Sequence, residues 1–338
     1  MKKIVILGST GSIGKTLLKI LQENKKFFKI ELLTARRNHN ELLKQAKKFN
    51  VKNVILTDPK IFTLHKNKFE KNKIKIFNNY LNINKILTTK VDYVMSSIVG
   101  IDGLLPTTSL IKHTKNIAIA NKESIICGWN LINFQLKKNK TKIIPVDSEH
   151  FSILNLLKNH SINEIKKIYI TASGGPFLNF KKKQFKKIKP SDALNHPKWK
   201  MGKKISVDSS TMVNKVFEII EAKKIFNLNY SQIKILIHPK SYVHALVQFK
   251  NGITKLLIHD TSMKIPIFNS LNYYDEKEIL KSKNLDFDKL NNLNFSSPDL
   301  DKFHSLKILN LLPKKNSLFE TILITANDEI VRLFLKKK

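Results

Sequence analysis

Short apolar runs alternate with longer amphipathic stretches over the first 150 residues of the chain. Lys3–Leu7 has the continuous apolar character of a buried strand, and Lys15–Glu23 has apolar residues at helical spacing. The same pattern predicts a helix at Glu41–Phe49 and five further strands: Phe28–Thr34, Asn53–Leu56, Tyr93–Ser96, Ile117–Ala120 and Lys142–Val146. Strands that alternate with helices indicate a parallel sheet in a doubly wound α/β fold.

The pattern changes after residue 147. Glycine and proline gather in loops up to about residue 270, and three short β-rich runs lie between them: Lys167–Thr171, Ile233–Ile237 and Val243–Phe249. These features predict a mixed α+β second domain, followed by an extended connection and a helical stretch at Leu300–Leu335. The predicted division of the chain is residues 1–147, 148–271, 272–298 and 299–338.

Composition narrows the class of protein. An apolar fraction of 42% is that of a folded globular protein. The single cysteine, Cys127, excludes an intrachain disulfide and favours a reducing, cytoplasmic location. No apolar run approaches the roughly 18 residues of a membrane span, and the run after Lys2 and Lys3 is too short for a secretory signal.

The formal net charge of +35 is compatible with a nucleic-acid or acidic-membrane surface. The lysines are nevertheless spread from end to end, and asparagine and isoleucine are also abundant, as in a chain encoded by AT-rich DNA. No RNA-binding signature with interleaved aromatic residues accompanies the lysines. We therefore interpret the charge as compositional drift and expect neither a nucleic-acid nor a membrane partner, although a basic surface attracts small anionic substrates.

The loop after the first strand, Gly8–Thr16, has the sequence GSTGSIGKT and is close to two kinds of phosphate-binding loop. A nucleoside triphosphate loop needs a glycine five residues before Gly14, where this chain has Ser9. A dinucleotide-binding turn needs glycines between a first strand and the helix that follows, and Gly8, Gly11 and Gly14 satisfy that requirement. The loop therefore favours a dinucleotide cofactor in a Rossmann-like domain, with a purely structural turn as the alternative.

The end of the second predicted strand indicates which dinucleotide. An acidic residue there would hydrogen-bond a ribose hydroxyl of NAD, but this chain has Arg36 and Arg37. Two guanidinium groups suit the additional phosphate of NADP.

Four later segments are rich in polar residues that a fold alone does not require: Ala120–Ser124, Pro145–His150, Thr171–Pro176 with Asn195–Gly202, and Ile205–Glu221. Asp147 and Glu149 follow an apolar run and can converge on one hard cation such as magnesium or manganese. On a helix, one face carries Asn214, Lys215, Glu218 and Glu221. A carboxylate from that helix can therefore complete a three-carboxylate metal site. Ordinary helix caps and salt bridges remain the alternative for each residue taken alone.

These segments, together with GSTGSIG and LIHPKS, resemble the signature motifs of the 1-deoxy-D-xylulose 5-phosphate reductoisomerases, in order and over nearly the whole chain. Members of that family convert 1-deoxy-D-xylulose 5-phosphate to 2-C-methyl-D-erythritol 4-phosphate in non-mevalonate isoprenoid synthesis, with NADPH and a divalent cation. The resemblance implies the same activity here. It also implies a homodimer with a Rossmann-like NADPH domain, an α+β catalytic domain and a C-terminal helical domain.

The resemblance also implies roles for individual residues. The metal ligands, for Mg²⁺ or Mn²⁺, would be Asp147, Glu149 and Glu218. NADPH would be held by Thr10, Gly11, Ser12, Ile13, Arg36, Arg37, Asn38, Asn121, Glu123, Gly202 and Met263. The substrate would contact Lys122, Ser148, Glu149, Ser173, His196, Trp199, Ser209, Asn214, Lys215 and Glu218, with its phosphate at Ser173, Ser209, Asn214 and Lys215 near His196. Trp199 and Met201 would belong to a closing flap, and the catalytic residues would be Lys122, Asp147, Glu149, His196 and Glu218.

The chain departs from the family pattern in two places. Arg36 and Arg37 stand where the family commonly has Gly-Lys, and the chain stops soon after Ala326–Glu329, so we expect a shortened C-terminal helical domain. The sequence is also compatible with three other functions, each of which one feature opposes. A semialdehyde dehydrogenase would need a reactive cysteine, and Cys127 has an apolar setting. A nucleic-acid binder, or a degenerate member of the fold that is a weak enzyme or a binding protein, is opposed by retention of all three carboxylates.

Overall fold

The computed structural model describes residues 1–199, 201–273, 286–315 and 317–337 of the chain. Eleven strands occur in these described residues: β1 (Lys2–Leu7), β2 (Phe28–Ala35), β3 (Asn53–Leu56), β4 (Lys75–Phe77), β5 (Val91–Ser96), β6 (Thr114–Ile119), β7 (Lys142–Pro145), β8 (Ile165–Ala172), β9 (Ile233–Ile237), β10 (Val243–Phe249) and β11 (Thr254–Ile258).

The same part of the chain contains thirteen α-helices: α1 (Ser12–Glu23), α2 (His39–Lys48), α3 (Pro59–Glu70), α4 (Ile83–Ile86), α5 (Leu104–Ile111), α6 (Lys122–Asn139), α7 (Ser148–Leu156), α8 (Pro190–Leu194), α9 (Lys203–Ser210), α10 (Val213–Phe226), α11 (Lys264–Leu271), α12 (Phe287–Leu290) and α13 (Phe319–Leu335). None of the helices in the described residues is long and apolar enough to cross a membrane.

The chain divides into two compact units. Unit 1 contains Met1–Val146 and Pro266–Ile279, and unit 2 contains Asp147–Ile265 and Leu280–Lys338. Residues 266–271, which the sequence places with the second domain, therefore cluster with the first. Residues 299–338 cluster with unit 2 rather than as a separate body. The functional roles assigned to the four stretches of the chain stay predictions.

Unit 1 is built on a seven-stranded parallel sheet in the order β4-β3-β2-β1-β5-β6-β7. This confirms the predicted doubly wound α/β fold. Ile4–Leu7 in the central strand β1 is fully buried, as a strand covered on both faces requires. The order of the strands reverses between β1 and β5, which is the point where ligands bind open α/β sheets, outside the carboxyl ends of the strands.

Unit 2 contains a four-stranded sheet in the order β11-β10-β8-β9, in which β8 and β9 are parallel and the other pairs are antiparallel. Helices α7 and α10 pack against this sheet. The predicted strands β8, β9 and β10 are confirmed. The predictions lack β11, an edge strand whose residues are exposed or half-buried and which therefore has little apolar signal.

The C-terminal part of unit 2 differs from the predicted pattern. Residues 274–285, within the expected connection, lie outside the described residues. Ser296 then forms an antiparallel bridge with Ile237, which matches an extended segment. The predicted helix at Leu300–Leu335 is divided into a 3-10 segment, His304–Leu311, and α13. Pro313 lies between them, and proline interrupts a continuous helix because it lacks an N–H donor.

Candidate active site

The first two candidate metal ligands lie at the start of α7, directly after β7. Asp147 is the N-cap residue of this helix, and the backbone amide of Glu149 donates to its Oδ1 atom at 3.4 Å. The Ser148 hydroxyl donates to Glu149 Oε2 at 2.5 Å. Negative side chains are favourable at a helix N-terminus because the amide dipoles point toward them. The turn thus holds two carboxylates close together at the start of α7.

Helix α10 supplies the third carboxylate. It is preceded by Met212, whose φ of 63° turns the chain sharply between α9 and α10. Lys215 and Glu218 are one helical turn apart and buried, and Lys215 Nζ donates to Glu218 Oε2 at 2.6 Å. Lys215 also donates to Glu149 Oε1, and the Asn214 amide donates to Glu218 Oε1. The lysine therefore links the carboxylates of the two helices.

The structure brings Asp147, Glu149 and Glu218 together, with one oxygen of each within 4.8 Å of the others. Burial, followed by the negative charge of Glu218, raises the pKa of Glu149 to about 8. Burial alone would lower the pKa of Lys215, but Glu149 and Glu218 raise it above its ordinary value. When all three carboxylates are ionised, their negative charge exceeds the positive charge of the Lys215 ammonium group, and a divalent cation balances the excess. An all-oxygen donor set suits hard Mg²⁺ or Mn²⁺, so the cluster fits the metal that the sequence implies.

A second buried pair, His150 and Glu221, supports the cluster. The sequence pattern places Glu221 on the helix face that carries Glu218, but it assigns no role to His150. His150 is fully buried, its Nε2 donates to the Glu218 carbonyl oxygen at 2.9 Å, and its Nδ1 lies 3.4 Å from Asp147 Oδ1. Glu221 Oε2 lies 3.6 Å from the same nitrogen. Burial alone would lower the pKa of His150, but Glu221 and Asp147 raise it to about 9. The available signals were the position of His150 after the acidic motif and the helical spacing of Glu221 from Glu218.

The serine-glycine turn after β8 carries the first candidate phosphate ligand. Ser173 Oγ accepts from the Gly175 amide at 3.1 Å and contacts His196 Nε2 at 3.2 Å. His196 Nδ1 accepts from the backbone amides of Lys198 and Trp199 at 3.2 and 3.0 Å, so Nε2 is the nitrogen that donates to Ser173. Because Ser173 Oγ accepts both bonds, its own hydrogen can be donated to an anion.

His196 is held in its neutral form by its surroundings. Burial, followed by the positive charge of Lys215, lowers the pKa of His196 to about 4. Trp199, in the predicted flap, lies edge-on to His244 with ring centroids 6.1 Å apart. Met201 is half-buried, whereas Lys200 lies outside the described residues. The segment is thus anchored in unit 2 through its histidine and tryptophan, and its closing motion stays a prediction.

Ser209, the next candidate phosphate ligand, lies in the last turn of α9 and is half-buried. The serine-glycine turn packs closely on it, because a Cβ added to Gly175 would lie 2.9 Å from the Ser209 carbonyl oxygen. Asn214 and Lys215 follow within one turn of α10. Residues from three segments of unit 2 therefore gather beside the carboxylate cluster.

The glycine turn of unit 1 has the geometry that the sequence predicts for it. Gly8 ends β1 with a φ of 75°, and Gly11 is the N-cap residue of α1. A Cβ on Gly14 would lie 2.6 Å from the Ser9 Cα, so only glycine permits this close approach of helix and loop. Thr10, Gly11, Ser12 and Ile13 surround the N-terminus of α1, where backbone amides are suited to a pyrophosphate.

The predicted NADP-specific residues follow β2. Arg37 Nε donates to Asp58 Oδ2 at 2.7 Å, and Arg36 Nη1 donates to Asp102 Oδ2 at 3.0 Å. Both arginine side chains are about 70% exposed, so each guanidinium group has donors facing solvent. Asn38 caps α2 by accepting from the Glu41 amide at 3.2 Å. The cationic pair thus stands at the carboxyl end of the sheet.

The remaining cofactor residues of unit 1 lie at the start of α6, after β6. Asn121 accepts from the Ser124 amide at 2.9 Å and donates to the carbonyl oxygens of Ile98 and Gly100, so it joins the ends of β5 and β6. Lys122 and Glu123, which follow it, are both buried. Gly202 and Met263 belong to unit 2, and Lys122 belongs to unit 1. Their implied contacts with NADPH and substrate stay predictions.

Comparison with known proteins gives one consistent family. The family model for 1-deoxy-D-xylulose 5-phosphate reductoisomerase matches residues 4–128, and two models of the C-terminal domains of that enzyme match residues 143–226 and 259–338. The chain is 60% identical over 340 residues to a protein named 1-deoxy-D-xylulose 5-phosphate reductoisomerase from Pelagibacter ubique. The match covers all of this chain and 87% of that protein.

Solved structures agree with the sequence comparisons. The reductoisomerase from Zymomonas mobilis in complex with NADPH superposes with a TM-score of 0.90 at 31% identity, over 99% of this chain and 87% of that one. A reductoisomerase complex with NADPH, fosmidomycin and magnesium gives a TM-score of 0.91 at 34% identity, over 100% and 85%. The chain therefore belongs to the 1-deoxy-D-xylulose 5-phosphate reductoisomerase family.

Proposed function

We propose that this protein converts 1-deoxy-D-xylulose 5-phosphate to 2-C-methyl-D-erythritol 4-phosphate in non-mevalonate isoprenoid synthesis. The reaction consumes NADPH and one proton and releases NADP⁺. The observation that carries the proposal is the buried cluster of Asp147, Glu149 and Glu218, with Lys215 between two of them, in a chain that matches the family from end to end. A bound divalent cation supplies Lewis-acid polarisation of the substrate oxygens, and bound NADPH supplies the hydride that reduces the rearranged aldehyde.

The carboxylate cluster does two things for this reaction. Asp147, Glu149 and Glu218 present oxygen ligands from two helices, so a cation held there has a fixed position against α7 and α10. Lys215 keeps Glu149 and Glu218 oriented and carries an ammonium group that can hydrogen-bond a substrate oxygen. The His150 bond to the Glu218 carbonyl oxygen fixes the third ligand from its backbone side.

The phosphate group is assigned to the serine-rich side of unit 2. Ser173, Ser209, Asn214 and Lys215 provide hydroxyl, amide and ammonium donors, all of which suit a dianion. His196 remains neutral and directs its Nε2 hydrogen at Ser173, so the serine hydroxyl is free to point its own hydrogen at the phosphate. Trp199 and Met201 are assigned to a cover over the site that excludes water during the rearrangement and reduction.

The cofactor is assigned to unit 1. The amides at the start of α1 suit the pyrophosphate, and Arg36 and Arg37 suit the 2′-phosphate that distinguishes NADPH from NADH. Asn121, Lys122 and Glu123 at the start of α6, with Gly202 and Met263 of unit 2, are assigned to the nicotinamide end and the substrate.

The direct experiment identifies the product. Purified protein is incubated with 1-deoxy-D-xylulose 5-phosphate, Mg²⁺ and NADPH carrying deuterium on the transferred position, and the product is examined by NMR and mass spectrometry. We expect 2-C-methyl-D-erythritol 4-phosphate with one deuterium on the carbon that was reduced. A product without deuterium, or recovery of unchanged substrate, would overturn the proposal.

The oligomeric state and the cellular location are inferred together with the activity. We infer a homodimer from the family, and a cytoplasmic location from the single cysteine, which suits a reducing compartment. Sedimentation equilibrium tests the first inference, since a dimer has twice the 39.0 kDa mass of the chain. Fractionation of cells that express the protein tests the second.

A further inference from the structure

Helix α13 contacts α9 through a polar cluster, in which Asp208 and Asn327 are buried and Lys204 and Asp328 are half-buried. The Asn327 amide donates to Asp208 Oδ1 at 2.8 Å, and Lys204 Nζ lies 2.8 Å from Asp208 Oδ2. The same ammonium group lies 3.1 Å from Asp328 Oδ1 and 5.5 Å from the centroid of the Phe217 ring in α10. The cluster therefore joins three helices of unit 2.

Asp208 is the centre of this cluster. Its side chain is only 4% exposed, so its charge is removed from water and depends on the donors around it. One oxygen faces an amide from α13 and the other an ammonium group from its own helix. Hydrogen bonds to a charged group are stronger than neutral ones, so these contacts restrict the position of the last turn of α9.

The last turn of α9 leads directly to candidate substrate ligands. Ser209 follows Asp208, and Met212 then turns the chain into α10, where Asn214 and Lys215 lie. The Ser209 carbonyl also forms the surface against which Gly175 packs. A shift of Asp208 by a few tenths of an ångström would therefore move Ser209 relative to the serine-glycine turn.

We propose that Asp208 and Asn327 are positioning residues for the phosphate end of the substrate site, with Lys204 and Asp328 completing the cluster. The pair holds the α9–α10 turn so that Ser209 and the start of α10 present their donors to one anion. This inference deepens the proposed function and rests on it. It assigns α13 a part in substrate affinity, beyond its packing in unit 2.

The test measures the effect of each substitution on substrate affinity separately from its effect on folding. Asn327→Ala removes the amide that faces Asp208, and Asn327→Asp places a second carboxylate against it. For folded protein we expect both variants to raise the KM for 1-deoxy-D-xylulose 5-phosphate about tenfold, with kcat within about threefold of the wild type. The inhibition constant of inorganic phosphate should rise in parallel, because it reports the same end of the site without the rest of the substrate.

Two further variants control the experiment. Thr325→Ala truncates a polar side chain of α13 whose hydroxyl contacts the Thr321 carbonyl of its own helix, so its KM and phosphate inhibition should match the wild type. The double variant Asp208→Asn with Asn327→Asp exchanges the amide and the carboxylate. It restores a complementary pair, and its KM should return to within about threefold of the wild type.

These measurements test the role of Asp208 and Asn327 even if the proposed reductoisomerase activity is absent. If Asn327→Ala lowers thermal stability but leaves the KM and the phosphate inhibition unchanged, the pair is merely structural and the inference is wrong. If the double variant is no better than Asn327→Asp alone, it is wrong as well. Should the wild type fail to reduce the substrate, calorimetric titration of wild type and variants with inorganic phosphate still measures the predicted loss of affinity.

Discussion

Lys215 shows how individual residues reconcile burial with charge at this site. A buried ammonium group is costly unless it is paired, and Lys215 contacts Glu149 on α7 and Glu218 on its own helix. The lysine does not balance the three carboxylates on its own, because they outnumber its single ammonium group. Burial, followed by the negative charge of Glu218, raises the pKa of Glu149, and the excess of carboxylates favours a divalent cation.

Glu218→Gln tests the assignment of the third metal ligand. The amide has nearly the same shape but lacks the negative charge, so Mn²⁺ affinity, measured by calorimetry, should fall about 100-fold or more and turnover should be lost. NADPH affinity, measured by fluorescence, should stay within about twofold. Glu329→Gln changes a carboxylate that is 54% exposed and paired with Arg332, and it should leave all three quantities unchanged. Wild-type Mn²⁺ affinity in Glu218→Gln would remove this residue from the metal site.

The lowered pKa of His196 predicts a stability effect in acid. In the unfolded chain its pKa is near 6.5, whereas in the folded protein it is about 4, so the unfolded state takes up the proton first. The contribution that favours folding is complete above pH 6.5 and is lost as the pH falls toward 4. Urea unfolding at pH 7.5 and pH 5 should therefore show a smaller loss of unfolding free energy for His196→Gln than for the wild type. Equal losses in the two proteins would contradict the neutral state assigned to His196.

At the scale of elements, the connection between β1 and α1 decides which cofactor the loop can serve. The Gly-Lys-Thr ending resembles a triphosphate loop, but Lys15 is exposed, and the close contact is made by Gly14 against Ser9. Gly14→Ala should reduce NADPH affinity at least tenfold and destabilise the protein by about 1–3 kcal/mol, because the added methyl group overlaps backbone atoms. Lys15→Ala should retain NADPH affinity within about twofold. Loss of NADPH binding in Lys15→Ala, with binding retained in Gly14→Ala, would contradict the dinucleotide interpretation.

The elements also show what the sequence could and could not predict. Strands such as β1 and β9 were predictable because their apolar runs are short and bounded by turns. Strands β4 and β11 were not, since one has three residues and the other is a partly exposed edge. The shared face of Lys215 and Glu218 followed from helical spacing, whereas contact between α10 and Glu149 depends on tertiary packing. The bond between Asn327 and Asp208 joins residues 119 positions apart, so no local pattern could indicate it.

At the scale of the whole molecule, the chain divides into two compact units, and neither is a single continuous stretch of the sequence. Residues 266–273 belong to unit 1, although most of unit 2 precedes them in the sequence. Tyr93 of β5 donates or accepts a buried hydrogen bond with Ser270 of this returning segment at 2.7 Å, which helps to fix it there. The sequence pattern did not indicate this return, because the short apolar run of α11 is equally suited to the core of either unit. The family, in contrast, was predictable because its motifs keep their order along the whole chain.

The chain belongs to a family of reductoisomerases, and its proposed activity depends on both a divalent cation and NADPH. The most direct test of this activity is the absorbance of NADPH in purified, EDTA-treated protein, with substrate and cation added separately and together. We predict that absorbance falls only when both 1-deoxy-D-xylulose 5-phosphate and Mg²⁺ or Mn²⁺ are present. Absorbance that stays constant with both present, or that falls equally without the cation, would contradict the proposed metal-dependent reduction.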